Sequence, residues 1–445
     1  MLLQKALLLL PTLSLIAADT ISCGADSHCP ESAPCCNQYG TCGIGSYCLG
    51  GCNPDFSFKE EACMPMPMCK NSTTYFNDSS AFVDQSSYLG DPDDGDWYYT
   101  GYVADFDGSS ILAMPNQTTG TVLSSTRFIW YGKVAATFKA ARSSGVVSAF
   151  IFFSNIQDEI DWEFVGSQLE TAETNFYYEA VLNYSNVVDV TTTDIHENYH
   201  TYEVDWTEET LTWYLDGVSV RTLNKADTWN ETTNTYHYPQ TPSRIQFSLW
   251  PVGSSAGIGT QEWAGTIDWD AEDIKEYGYF YVLLKNASVT CYDPPSYAKK
   301  YGSTAYEFDG SGDYQSENVI ITDNSTILND DDSTGLNNTQ QSSSSSSSAS
   351  DSSTISSNSS SSTMLSNSSH TTTKTSTTSK KTTSKTSTSS STSTSTTSAQ
   401  TGFFQFAQST TDSLVGSSKN IAAAVVESGS LLSLVLALVA AFGAF

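Results

Sequence analysis

The stretch of this 445-residue chain with the most chemistry in it is Asp158-Glu159-Ile160-Asp161-Trp162-Glu163-Phe164. Side chains alternate across an extended strand, so Glu159, Asp161 and Glu163 share one face while Ile160, Trp162 and Phe164 share the other. An edge strand can show acids to water with no further purpose. Here the apolar face, and the aromatic run from Phe150 to Phe153 just upstream, point to a central strand, where a row of carboxyls needs a chemical reason. Glycosidic bond cleavage supplies one, because one carboxylate attacks the anomeric carbon while another protonates the departing oxygen and later deprotonates the acceptor. Crowded like charges push their pKa values apart, so one group stays protonated beside an ionised neighbour. In that arrangement Glu159 is the nucleophile, Glu163 the acid and base, and Asp161 holds Glu159 by a hydrogen bond. Residues four apart on a strand are about 13 Å apart along the backbone, whereas retaining pairs work at roughly 5 to 5.5 Å. The long glutamates must therefore lean together above the shorter aspartate.

The elements around this motif read as strands. Residues 128–138, 147–153, 176–182, 199–206 and 245–250 are rich in aromatic and β-branched side chains. Leu211, Trp213 and Leu215 alternate with Thr212 and Tyr214, and Asp216-Gly217 supplies a hairpin turn before Val218 and Val220. No long segment keeps a helical period. These features predict an all-β fold, a jelly-roll sandwich of two antiparallel sheets over residues 56–309, with a concave sheet free to hold a chain-like ligand.

The flanks differ in texture. Residues 1–18 read as a signal peptide with an apolar core closing on Ala17-Ala18. Residues 310–420 are dominated by serine and threonine and cannot bury enough apolar surface to order, which predicts a disordered, O-glycosylated stalk. Residues 421–445 fit a removable glycosylphosphatidylinositol (GPI) signal, with Asn420 as the attachment site or residues 416–418 as the alternative. Secretion turns the ten cysteines into expected disulfides, and nine of them between Cys23 and Cys69 mark a stapled N-terminal module over residues 19–55. Sequons at Asn71, Asn116, Asn183, Asn230 and Asn286 agree with export. The formal charge of -30, with only 19 Lys and Arg, excludes nucleic acid as a partner but suits a neutral polysaccharide. The five histidines form no zinc pattern, Asp91, Asp93, Asp94 and Asp96 miss the calcium-loop spacing, and no glycine-rich phosphate loop follows a strand. No metal and no cofactor are expected.

The carboxylate motif resembles the signature of glycoside hydrolase family sixteen. Trp213-Tyr214-Leu215-Asp216-Gly217, the run from Arg244 to Trp250 and the run from Thr260 to Gly265 are similar to the fungal Crh group within it. The likeness covers about residues 75–281 and implies a concanavalin-like jelly roll and a retaining mechanism. It also implies Glu159 as nucleophile, Glu163 as proton donor, and Arg244, Trp250, Thr260 and Trp263 as sugar contacts. Core packing is the alternative for the two tryptophans and a structural ion pair for Arg244. Crh-type enzymes take chitin as donor and β-glucan as acceptor. The resemblance thus implies a transglycosylase crosslinking the fungal cell wall. With the two ends read as above, the protein is expected to be monomeric, secreted and GPI-anchored to the outer face of the plasma membrane or to wall glucan.

The cysteine run from Cys23 to Cys48 resembles the hevein-type chitin-binding module. That resemblance implies the pairs Cys23 with Cys36, Cys29 with Cys42, and Cys35 with Cys48, and leaves Cys52 with Cys63 and Cys69 with Cys291 as the expected remainder. It also implies a sugar face at Asn37, Tyr39 and Tyr47, although Thr41 stands where an aromatic is usual, so a purely structural cap is the alternative. Two other functions compete with the transglycosylase: a plain endo-hydrolase of chitin or β-glucan, and a non-enzymatic wall lectin or adhesin.

Overall fold

Alternating burial along the strands explains the layering. Gly132–Lys139, His200–Trp206 and Thr210–Leu215 bury every second side chain, as strands do when one face meets the core and the other meets water. Val146–Ser154 is buried at every position and Ser243–Pro251 at all but the last, so these two strands are covered on both faces. The computed structural model describes residues 20–77 and 79–338. The expected signal peptide, most of the expected stalk, Asn420 and the expected anchor signal lie outside the described residues.

Two eight-stranded sheets pack face to face. One, here called the acidic sheet, runs in space Val188–Thr191, Thr171–Tyr177, Glu159–Val165, Val146–Ser154, Ser243–Pro251, Thr121–Ile129, Trp97–Thr100, Phe82–Asp84. Its pairings are antiparallel except for the last. The other sheet is centred on Gly132–Lys139 and Tyr279–Cys291. Between them lies an aromatic core that includes Trp130, Trp162, Trp206, Trp213, Phe138 and Phe150, all fully buried. Each such side chain contributes on the order of 1.5 to 3 kcal/mol through burial. Edge-to-face contacts such as Phe138 on Phe164, at 5.3 Å between ring centroids, fix the spacing of the layers. The fold is thus the all-β jelly-roll sandwich expected.

Three boundaries move. Residues 128–138 are not one strand: Thr121–Ile129 and Gly132–Lys139 belong to different sheets. The chain turns at Tyr131 (φ 64°) and Gly132 (φ 150°), and Trp130 and Tyr131 pack inside the corner, so their aromatic character reads as strand. The strand expected over residues 176–182 ends at Tyr177, because Glu179 (φ 45°) and Ala180 (φ 57°) are left-handed. The ordered chain also continues past Asp309. Val319–Thr322 pairs with Ala305–Phe308 and buries Val319 and Ile321 in the main core, so this segment is folded where a stalk was expected. Two short helices, Ile258–Ala264 and Glu272–Tyr277, complete the domain.

Bridges join Cys23 to Cys36, Cys29 to Cys42, Cys35 to Cys48, Cys52 to Cys63, and Cys69 to Cys291. The N-terminal module shares a core with the rest of the fold. Cys35, Cys48, Leu49 and Cys52 pack with Met64, with Tyr88 and Tyr98 of the sheet region, and with Leu328.

Candidate active site

The acidic strand, Glu159–Val165, is the third of eight and is hydrogen-bonded on both sides. Ile160, Trp162 and Phe164 point into the core. Glu159, Asp161 and Glu163 therefore share the opposite face, as the alternation predicts. Strand register places Tyr177 and Phe153 beside Glu159, Asn175 and Ile151 beside Asp161, and Glu173 and Ala149 beside Glu163. Tyr177, Asn175 and Glu173 had no signal of their own, because they become neighbours of the acids only through pairing of two strands.

Two anchors position this strand. At its back, the Trp213 indole donates a 3.0 Å hydrogen bond to the carbonyl of Asp161. At its start, the fully buried Asp158 accepts from the backbone N–H of Gln240 (2.9 Å), of Thr241 (3.0 Å) and of Glu179 (3.2 Å), and from the Thr241 hydroxyl (2.7 Å). Burial pushes its carboxyl up to about 6 against the pull of those donors. Asp158 thus ties the entry of the acidic strand to two other chain segments, a role the sequence did not single out.

The electrostatics separate the three acids. All three are raised above the ordinary carboxyl range, first by burial and then by one another. Glu159 and Glu163 keep some solvent access, whereas Asp161 is 1 % exposed and neither of its oxygens has a hydrogen-bond partner among the described residues while it is ionised. A proton on Asp161 removes that penalty, because it can then be donated to Glu159; that bond lowers the Glu159 pKa and raises the Asp161 pKa. Glu163 feels the charges of both Asp161 and Glu173. Glu159 and Asp161 titrate as a pair, and the arrangement favours protons on Asp161 and Glu163 with the charge on Glu159.

The expected sugar contacts separate into two groups. Trp250 lies at the end of its strand across from Val147, its ring centroid 6.3 Å from that of Trp263, and both pack with Val147, Val165 and Ala264. Trp263 sits on the short helix and gives its N–H to Glu173, next to Glu163. Thr260 is buried on the same helix. Arg244 shares the row of Phe153 and Glu159 but is only 2 % exposed, and it forms no ion pair among the described residues. Its guanidinium donates to the Tyr98 hydroxyl and to Oε1 of Gln38 in the N-terminal module. Gly50 and Gly51 lie directly against it, so that a Cβ on either would fall within 2.6 Å of its side chain. Arg244 is thus a docking post for the module rather than an open sugar contact. Asn37 also has a local task, since its Oδ1 accepts from the backbone N–H of Tyr39 and of Thr41 and shapes their turn.

The description "Glycosyl hydrolases family 16" matches residues 92–271. The chain is 50% identical over 312 residues to Congo red hypersensitive protein 2 of Saccharomyces cerevisiae, covering 69% of this chain and 67% of that protein. It is 50% identical over 323 residues to Crh-like protein UTR2 of Candida albicans, covering 70% and 69%. A solved Crh5 transglycosylase in complex with NAG is 25% identical, with a TM-score of 0.48 over 61% of this chain and 99% of that one. Half-identical to Crh-like proteins across two thirds of their length, the chain belongs to glycoside hydrolase family 16 and is a Crh-like glycosidase or transglycosylase acting on polysaccharide.

Proposed function

We propose that this enzyme cleaves chitin with retention and passes the cut chain to β-glucan, crosslinking wall polysaccharides outside a fungal cell. In the first step a Glu159 oxygen bonds to the anomeric carbon as the bond to the leaving oxygen breaks, and Glu163 gives that oxygen its proton. In the second, the Glu163 carboxylate takes the proton of an acceptor hydroxyl, whose oxygen displaces Glu159 from the anomeric carbon. Asp161 donates to Glu159 in the resting state and keeps the nucleophile ionised. The observation that carries this reading is the three carboxyls on one face, with Asp161 buried and lacking any donor of its own. Transfer wins over hydrolysis when the acceptor is positioned ahead of water. Export, the GPI anchor at Asn420 and a chitin-binding role for Asn37, Tyr39 and Tyr47 belong to the same proposal.

A labelled β-glucan oligosaccharide incubated with enzyme and chitin tests it. Labelled chitin–glucan hybrid is the expected product; new chitin ends without hybrid would identify an endo-hydrolase instead. Glu159→Gln should abolish both. Wall crosslinking left intact by Glu159→Gln in cells lacking related enzymes would favour a lectin. Truncation before residue 421 should release the protein into the medium if the anchor is as proposed.

A further inference from the structure

The face that carries Glu159, Asp161 and Glu163 does not end at the acidic strand. Following the register across the sheet from Asp161, the same row continues through Ile151 to Gln246, Ser124 and Tyr98. At the usual spacing between neighbouring strands, Gln246 lies about 10 Å and Ser124 about 14 Å from Asp161. There the N-terminal module closes over the sheet. It is held by the shared core around Leu49 and Tyr98, by Gln38 on Arg244, and by the N–H of Gly51 donating 2.8 Å to the Asn155 side chain.

Between module and sheet remains a crevice of about 200 Å³, lined on one side by Gln38, Tyr39 and Tyr47 and on the other by Tyr98, Ser124 and Gln246. Its walls carry polar atoms that the protein leaves unmatched. Nε2 of Gln38, Nε of Arg244 and Oε1 of Gln246 have no hydrogen-bond partner among the described residues, although these side chains are 6%, 2% and 1% exposed. Buried donors and acceptors left open in this way each cost on the order of 1 to 3 kcal/mol unless something fills them. The Gln38 donor and the Gln246 acceptor among phenol rings match a sugar unit, whose ring faces are apolar and whose hydroxyls and amide can both give and accept hydrogen bonds.

We infer that this crevice is a composite subsite, built jointly by the N-terminal module and the acidic sheet, which holds an N-acetylated sugar unit of the same donor chain that Glu159 attacks. The module is then a wall of the cleft and not a separate grip on the polymer. Gln38 and Gln246 contact the sugar; Arg244 positions Gln38. This rests on the proposal that chitin is the donor.

The test uses the full chain and a series of chito-oligosaccharide donors of increasing length, with donor cleavage and transfer to a fixed labelled β-glucan acceptor measured separately. Wild type should gain a step in kcat/KM at the length where the donor reaches the crevice. In Gln38→Ala and in Tyr47→Ala the ratio of long-donor to short-donor kcat/KM should fall about tenfold, the loss of roughly one hydrogen bond or packing contact. Because Gln38 also braces Arg244, melting temperature is read for both variants; a fall in stability with an equal loss at every donor length would overturn the inference in favour of a structural role. An unchanged ratio in both variants, or a loss confined to transfer with donor cleavage unchanged at every length, would overturn it too. Donor cleavage without transfer would refute the transglycosylase reading alone, since the length step is read from cleavage.

Discussion

The indole nitrogen of Trp263 lies 3.0 Å from both carboxyl oxygens of Glu173, the residue directly across the strand ladder from Glu163. Burial raises the Glu173 pKa and this hydrogen bond lowers it, so Trp263 helps to keep Glu173 charged; that charge in turn raises Glu163. Replacing Trp263 with Phe removes the donor, makes Glu173 neutral more of the time and relieves Glu163. Activity that needs protonated Glu163 should then lose its alkaline limb at a pH lower by roughly half a unit to one unit. Glu173→Gln should shift the limb in the same direction, and a pH profile of kcat/KM checks both.

Asp161 allows a sharper contrast. Asn at this position keeps a neutral donor to Glu159, as the protonated Asp161 does, so the acid limb should stay near its wild-type position. Ala removes the donor, and the acid limb should move to higher pH with a rate loss of about 10² to 10³. A displacement in the Ala variant that the Asn variant does not show is the signature; equal displacements in both would mean that Asp161 acts only as packing.

Stability should depend on pH in a direction set by the buried acids. The Asp158 pKa is raised by folding, so its contribution is fully present below the ordinary carboxyl pKa and is lost as pH rises through about 6. A shift from 3.8 to about 6 amounts to about 3 kcal/mol at one buried group, and Glu159, Asp161 and Glu163 act with the same sign. The melting temperature should therefore fall as pH rises from about 4 to about 7. Asp158→Asn should flatten this dependence while lowering stability at pH 5 by about 1 to 3 kcal/mol, because the amide cannot accept from all of the donors aimed at it.

The bridge between Cys69 and Cys291 spans 222 residues and ties the chain ahead of Ser72–Tyr75 to the end of Tyr279–Cys291, two strands that also pair. Replacing both cysteines with Ala should cost about 2 to 5 kcal/mol in urea unfolding. Loss of Cys52–Cys63, which closes only 11 residues, should cost less.

What the sequence disclosed followed from chemistry written along one strand. The alternation of Glu159, Asp161 and Glu163 against Ile160, Trp162 and Phe164 is a local fact, as is the Asp216-Gly217 turn, where both residues are left-handed. Contacts across the chain were silent. Gln38 meets Arg244 across 206 residues and Gln246 across 208, and no pattern in either segment announces the other. The corner at Trp130 and Tyr131 misled for a different reason: the side chains that favour strands also fill a turn when it is buried between sheets.

The acidic strand has two neighbours on one side of its sheet and five on the other. A polymer laid across such a lopsided bed and cut over that strand leaves two stubs with very unequal holds on the protein. The stub over the broad side should linger while its counterpart drifts off, which rapid-quench release rates can measure. Uneven retention of this kind gives a second sugar chain time to arrive before the first has gone.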